Sequence, residues 1–388
     1  MNNEQKSISL AKEWILNSGI QNLNSNGAFN GGFNSWFDVE KKRYPFIYSE
    51  ITGYGLTTLL FLNSIFKNEI SLSRAKLAAE WVISNAFHPS GGIKSRCYYE
   101  KSEEDEQYSF ERGFLYSFDS AIVMNGLLNL YAAIKNPVYL KTAQKIADFL
   151  IDKMMTKKGV FYPLYDQLSQ TTKSTYDKWS TQSGSFHSKI FIGLIKLSEI
   201  TKEERYIEVV KKSQGTLLKF QRNDGRFITD EKDGSTNLHP HCYSIEGLLY
   251  AGVKLNDEKL IERLAKAVEW VFNNQLDDFS IPQLFSNRGS IKYERSDITA
   301  QVIRLGSFLI QNNYLDAGYM KNLDASKDRL LSLQNMNNEQ RGGFFYGFDQ
   351  NGIRLKHLNS WCTMFSIQAL AFYHSLKSKQ QISLNLVI

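Results

Sequence analysis

Cysteine, proline and long apolar runs are all scarce in this chain, and each scarcity removes a class of protein. Cys97, Cys242 and Cys362 are the three cysteines among 388 residues. They lie far apart with no CxxC spacing, which argues against a disulfide framework and for a reducing compartment. Six prolines and no low-complexity tract leave no visible linker between domains. No apolar run reaches the length of a membrane span. The opening MNNEQKSISLAKEWIL lacks the apolar core of a signal peptide and reads as an amphipathic helix. A cytoplasmic location is expected. The net charge of +6 is mild, and Lys and Arg are interspersed with Asp and Glu. No basic stripe suits nucleic acid. Nucleotide loops, the GxSxG elbow and HExxH are also missing. A zinc site from the three cysteines and a histidine would lack local ligand spacing. Neither a cofactor nor a bound metal is expected, and no nucleic-acid partner.

What is present is a repeat. Ala-x-Glu-Trp followed by Ile or Val occurs at Ala11, Ala78 and Ala267, placing Trp14, Trp81 and Trp270 in register. Phe149, Leu217 and Leu330 hold comparable places, so six marks recur roughly every 53 to 68 residues. Each mark sits in an amphipathic helix; in the third, Leu140, Ala143, Ile146, Ala147, Leu150 and Ile151 form one apolar stripe. A turn signal and a short aromatic or β-branched run follow each helix, beginning at Gly27-Ala28-Phe29, Gly91, Gly159, Asp224, Asp278 and Gly342.

A second helix closes each unit and is apolar on nearly every side. The six are expected over 51–66, 118–134, 183–200, 241–253, 296–310 and 359–376. A helix apolar all round must be buried, so a half-exposed outer helix alternates with a buried inner one. The implied architecture is all-α: an (α/α)6 toroid of six helical hairpins, with short β-hairpin loops on one face, in a single domain over residues 1–388. Links from outer to inner helix are long, and long loops in compact domains usually carry function. Chemistry is therefore expected where the inner helices begin.

Those six starts supply Glu50, Asp119, His187, His239, His241, Tyr243, Glu246, Arg295 and Asp297, with Trp36, Trp179 and Trp361 on nearby loops. Each has a plainer reading. Asp119 and Asp297 suit helix N-caps, and Glu50 suits the positive end of a helix dipole. His187 is isolated among apolar neighbours, and the tryptophans could be core. The run His239-Pro240-His241, with Tyr243 and Glu246 on one face beyond it, serves core packing badly. Glu246 inside an apolar helix needs a partner or a raised pKa.

Several segments carry a resemblance: GGFNSWFDVEKKRYPFIYSEITGYG, WSTQSGSFHSKIFIGLIKLSEIT, HPHCYSIEGLLYAG, RSDITAQVIRLG and LNSWCTMFSIQAL. With six hairpins and Gly-aromatic loops, the chain resembles the six-hairpin glycosidase-like superfamily over nearly its whole length. Its segments are also similar to uncharacterised bacterial proteins encoded among surface-polysaccharide genes. That superfamily includes unsaturated glucuronyl hydrolases, N-acylglucosamine 2-epimerases and toroidal domains of uronate lyases. Terpene cyclases share the toroid, but their Asp-rich diphosphate motif is absent here, as is the Cys-His ligand pattern of lanthionine cyclases. The resemblance implies acids and histidines at inner-helix mouths as the chemical groups and aromatics as sugar platforms; fold alone does not choose the reaction.

The expectation is a carbohydrate-active enzyme of polysaccharide metabolism acting on an oligosaccharide or lipid-linked glycan. Glycosidic-bond hydrolysis comes first, with Asp119 and either Glu50 or Asp297 as the carboxylate pair. Arg295 would bind an acidic substituent, and His187, His239, His241 and Tyr243 would contact hydroxyls. The alternatives are a uronate lyase or sugar epimerase, with His241 and Tyr243 moving a proton, and a glycan-binding or scaffold protein without catalysis.

Overall fold

The computed structural model describes residues 2–24, 27–286 and 289–388. Met1, which opens the amphipathic stretch read from the sequence, lies outside them. Twelve α-helices are present among the described residues. The outer set is α1 (Asn3–Asn17), α3 (Glu69–Trp81), α5 (Pro137–Asp148), α7 (Arg205–Leu217), α9 (Glu258–Asn273) and α11 (Met320–Ser332). The inner set is α2 (Ser49–Phe66), α4 (Ser117–Ile134), α6 (Ile190–Thr201), α8 (Leu238–Lys254), α10 (Ser296–Gln311) and α12 (Ser360–Lys377). A 3₁₀ turn over Ser185–Lys189 leads into α6. The architecture is the (α/α)6 toroid.

Burial follows the periodicity. Every residue from Ser117 to Leu130 in α4 is buried, whereas α9 buries the stripe Leu260, Ile261, Leu264, Ala265, Ala267, Val268, Val271 and Phe272. Each large apolar side chain so placed contributes about 1.5–3 kcal/mol. Inner helices approach closely where glycines meet: a Cβ on Gly126 would stand 2.8 Å from the Gly53 carbonyl oxygen.

The turn after each outer helix leans on the next outer helix round the ring. Gly31 has φ +99°, and a Cβ there would lie 2.2 Å from the Leu77 oxygen in α3. At the other end of the chain, Gly342 has φ +102° and meets the Leu10 oxygen of α1 in the same way, at 2.1 Å. The last loop thus docks on the first helix, and α1 packs on α12 to close the circle. The glycine next in sequence lies under the repeat-marking ring, Gly32 beneath Trp81 and Gly343 beneath Trp14. This moves the first turn from the expected Gly27-Ala28-Phe29 to Gly31-Gly32-Phe33. Ala28 serves instead as acceptor for the Trp81 indole N–H, at 2.8 Å.

Short strands join neighbouring loops over the face where inner helices begin. β1 (Trp36–Asp38) pairs with β11 (His357–Asn359), which also pairs with β10 (Phe344–Phe345). β2 (Phe46–Tyr48) pairs with β3 (Arg96–Tyr98), and β4 (Phe114–Tyr116) with β5 (Leu164–Asp166) and, through it, β6 (Thr172–Lys173). β7 (Thr236–Asn237), β8 (Leu284–Ser286) and β9 (Gly289–Ile291) form the remaining sheet. All the pairings are antiparallel. They hold the long loops rigidly above the helix mouths. No helix among the described residues is long and apolar enough to cross a membrane.

Candidate active site

A cavity of about 330 Å³ opens at the inner-helix mouths. Four inner helices supply its polar lining: Glu50 from α2, Asp119 from α4, His239 and Tyr243 from α8, and Trp361 from α12. Loops add Arg96, Tyr108, Lys178, Trp179, Arg295 and Tyr346. Of the residues expected from sequence, Glu50, Asp119, His239, Tyr243, Arg295, Trp179 and Trp361 therefore meet around one space.

One wall carries two carboxyl groups. Asp119 is 2% exposed; its Oδ2 accepts from Ser95 Oγ at 2.8 Å, and its Oδ1 faces the Tyr48 hydroxyl at 3.5 Å. Burial pushes its pKa up to about 7, against the Ser95 bond and the Arg96 charge, which both favour the anion. Glu50 is pushed up to about 8 by burial and then by the neighbouring Asp119. Two neighbouring carboxyls resist double ionisation, and both are raised above the usual carboxylate range. Arg96 lies over the Tyr108 ring at 3.6 Å from its centre, and Lys178 over the same ring at 4.3 Å.

The opposite wall is built on an ion pair. Arg295 donates to both oxygens of Asp297, Nε to Oδ1 at 3.1 Å and an NH2 to Oδ2 at 2.5 Å. The Trp361 indole N–H donates to the same Oδ2 at 3.0 Å. Burial favours the neutral acid, but Arg295 and then His239 outweigh it and hold Asp297 at about 2. Asp297 is fully buried behind the groups it orients, which are themselves cavity residues. His239 Nδ1 has two acceptors near it, Gln301 Oε1 at 2.8 Å and Asp297 Oδ2 at 3.5 Å. Its proton is thereby assigned to Nδ1, leaving a lone pair on Nε2. Burial lowers its pKa to about 4, so the ring is neutral. Tyr243 accepts from the Tyr54 hydroxyl at 2.9 Å, with burial pushing its own pKa well up.

Four expected residues lie elsewhere. His241 faces outward: its Nδ1 accepts from the Phe227 N–H at 3.1 Å, and Nε2 donates to the Ala267 carbonyl at 3.3 Å. Thr52, Ser120 and Thr363 make the same bond in other repeats, accepting from the N–H groups of Phe33, Ile93 and Phe344. His241 thus stitches a loop to its helix. His187 is fully buried, bonded through Nδ1 to Gly184, and packed on Phe186 and Phe161; burial lowers it to about 3. Glu246 sits one helical turn beyond Tyr243, bound by Lys189 at 3.0 Å and by Arg304. Those two cations outweigh its burial and keep it ionised. Trp36 packs on Phe46 and His357 in the β1 region.

Arg96, Tyr108 and Tyr346 line the cavity but carried no signal in the sequence, because they stand in loops without periodicity. Among the described residues no group of three or more His, Cys, Asp or Glu is arranged to hold a metal ion. Cys97 is half-buried, and Cys242 and Cys362 are buried and unpaired.

Comparison with known proteins agrees with this geometry at the level of fold. The model of glycosyl hydrolase family 47 matches residues 105–240. No curated protein sequence matches the chain. Among solved structures, a sugar epimerase from a ruminal bacterium is similar with a TM-score of 0.76 at 12% identity, covering 97% of this chain and 100% of its own. Cellobiose 2-epimerase from Bacillus thermoamylovorans gives 0.76 at 12% identity, covering 95% and 99%. An unsaturated glucuronyl hydrolase specific for heparin gives 0.69 at 12%, covering 97% and 98%. The shared fold is the (α/α)6 toroid. The solved structures that share it include sugar epimerases, an unsaturated glucuronyl hydrolase and a polysaccharide lyase.

Proposed function

We propose that the protein is a carbohydrate-active enzyme that hydrolyses a glycosidic bond in this cavity. What carries the reading is the pair of carboxyl groups, Glu50 and Asp119, lining one cavity with their pKa values raised by burial and, for Glu50, by Asp119 as well. Hydrolysis needs one protonated carboxyl to give a proton to the leaving oxygen and one carboxylate to activate water or attack the sugar. Glu50, pushed higher, is the acid. Asp119, whose anion Ser95 and Arg96 stabilise, is the base or nucleophile. Trp179, Trp361 and Tyr346 offer apolar faces for a sugar ring, and a cavity of about 330 Å³ has room for roughly one or two rings. The substrate is an oligosaccharide, free or lipid-linked, met in a reducing compartment that suits three unpaired cysteines.

A specific observation favours a second reading. His239 and Glu50 line the same cavity from different inner helices, and epimerisation needs a base and an acid on opposite faces of a sugar carbon. Oligosaccharides, neutral and uronate-bearing, incubated in heavy-oxygen and heavy-hydrogen water separate these readings by mass spectrometry. Heavy oxygen in a cleaved product supports hydrolysis. Deuterium on carbon without cleavage replaces it by epimerisation, and cleavage without uptake of water, giving an unsaturated product, by a lyase. Saturable binding without any change makes the protein a glycan-binding one.

A further inference from the structure

Residues 384–388 return into the ring from the end opposite the cavity, and their main-chain groups are bonded to the inner helices. Lys189 Nζ donates to the Ile388 main-chain oxygen at 2.7 Å. Gln368 Nε2 donates to the Leu386 oxygen at 2.6 Å, and its Oε1 accepts from the Ile388 N–H at 3.2 Å. Lys196 and Asn125 hold the Asn385 and Val387 oxygens at 2.9 and 3.2 Å. Val387 and Ile388 are almost fully buried. These contacts run on toward the cavity. Lys189 donates to Glu246 Oε2 at 3.0 Å, and Arg304 bridges Gln368 Oε1, at 2.9 Å, and Glu246 Oε1. Gln301 Nε2 then approaches Glu246 Oε1 at 3.4 Å, while Gln301 Oε1 faces His239 Nδ1 at 2.8 Å.

Each step restricts the next. Glu246 stays a carboxylate because two buried cations face it, and a carboxylate only accepts. The Gln301 amide must therefore turn its NH2 to Glu246 and its oxygen to His239. That oxygen requires the imidazole proton on Nδ1, which frees Nε2 for the cavity. Asp297 also faces Nδ1, but farther off and already committed to Arg295 and Trp361.

We infer that Glu246, Gln301 and the segment 384–388 form a positioning chain that sets the tautomer of His239 from the far end of the toroid. The inference rests on His239 acting in the cavity, as in the second reading of the proposed function, but its first readout needs no turnover. The groups facing the ring are Asp297 and Gln301 of α10, Arg295 just before it, Glu246 of its own helix and, by ring contact, Trp179 and Tyr243.

The test is nitrogen NMR of the His239 imidazole in the full-length protein, with Glu246→Gln and Gln368→Leu as variants. Glu246→Gln keeps the shape but allows the Gln301 amide to turn. The expected result is a mixture of Nδ1–H and Nε2–H forms in place of one. Gln368→Leu, which releases Leu386 and Arg304 together, is expected to shift the ring the same way by a smaller amount. On a turned-over sugar, kcat falls about tenfold with KM within about twofold, the pattern of a lost transition-state interaction. A ring spectrum unchanged in both folded variants overturns the inference. A tautomer change without turnover on any sugar upholds the chain and counts only against the proposed reaction.

Discussion

Asp119 and Asp297 begin α4 and α10, equivalent helices on two sides of one cavity, and the protein gives them opposite chemistry. Both are almost completely buried. Asp297 is gripped by a guanidinium through two bonds and by an indole N–H, and is held at about 2. Asp119 has one serine hydroxyl at close range and a second carboxyl beside it, and is raised to about 7. Burial alone would raise both. The difference lies in whether a cation is delivered to the carboxylate with bidentate geometry. Repetition of the hairpin places the same residue type at two mouths; the loop residue preceding the helix decides whether it stores charge or a proton.

The comparison is broken most severely by neutralising the wall of Glu50 and Asp119. Asp119→Asn and Glu50→Gln are each expected to lower turnover by about 10³-fold while leaving the melting temperature equal or higher, since burial already outweighs Arg96 in disfavouring each anion. Rate assays beside thermal melts measure both. Asp297→Asn should act in the reverse manner. It strands Arg295 in a dry site and is expected to cost about 3–5 kcal/mol of stability, read by denaturant unfolding. If the two aspartates gave the same balance of lost activity and lost stability, the contrast would be wrong.

Their pH dependences should also separate. Hydrolysis needs one proton on the pair, so activity is expected to peak between about pH 7 and 8, falling below as both carboxyls protonate and above as both ionise. For stability the signs are opposite. The raised Glu50 and Asp119 contribute stability fully below their unfolded values near 4, lost as pH rises through 7 to 8. Asp297 contributes stability above its unfolded value of about 3.8, lost as pH falls through about 2. Melting temperatures of wild type and Asp119→Asn should therefore diverge from pH 5 to 9 in favour of the variant. The smallest effect is expected at His241. An amide oxygen can accept from Phe227 N–H, so His241→Asn should cost only about 1–2 kcal/mol and leave kcat within about twofold, whereas His239→Asn should remove most turnover.

The histidine pair is where sequence reading reaches its limit. His239 and His241 are two residues apart at a helix start, and nothing in their order says which faces the axis. On a helix they point about 200° apart, and the ring geometry turns one to the cavity and one to the loop. Glu246 rightly drew notice as an acid in an apolar helix. Its partners Lys189 and Arg304 lie 57 and 58 residues away along the chain, beyond any local pattern. Arg96 and Tyr108 had no pattern to be found by, being loop residues carried to the cavity by β-pairing and by cation–π contact.

The hairpin count, the alternation of outer and inner helices and the face on which the cavity opens were determined by the sequence itself. Apolar periodicity and repeated glycine turns are local, and six buried helices of 12 to 18 residues have few ways to close. Which carboxyls are raised side by side, which one is paired with a guanidinium and which histidine lines the cavity were decided by tertiary structure alone. Those properties depend on distances of a few ångströms between side chains from different hairpins, and on how completely water is removed from between them.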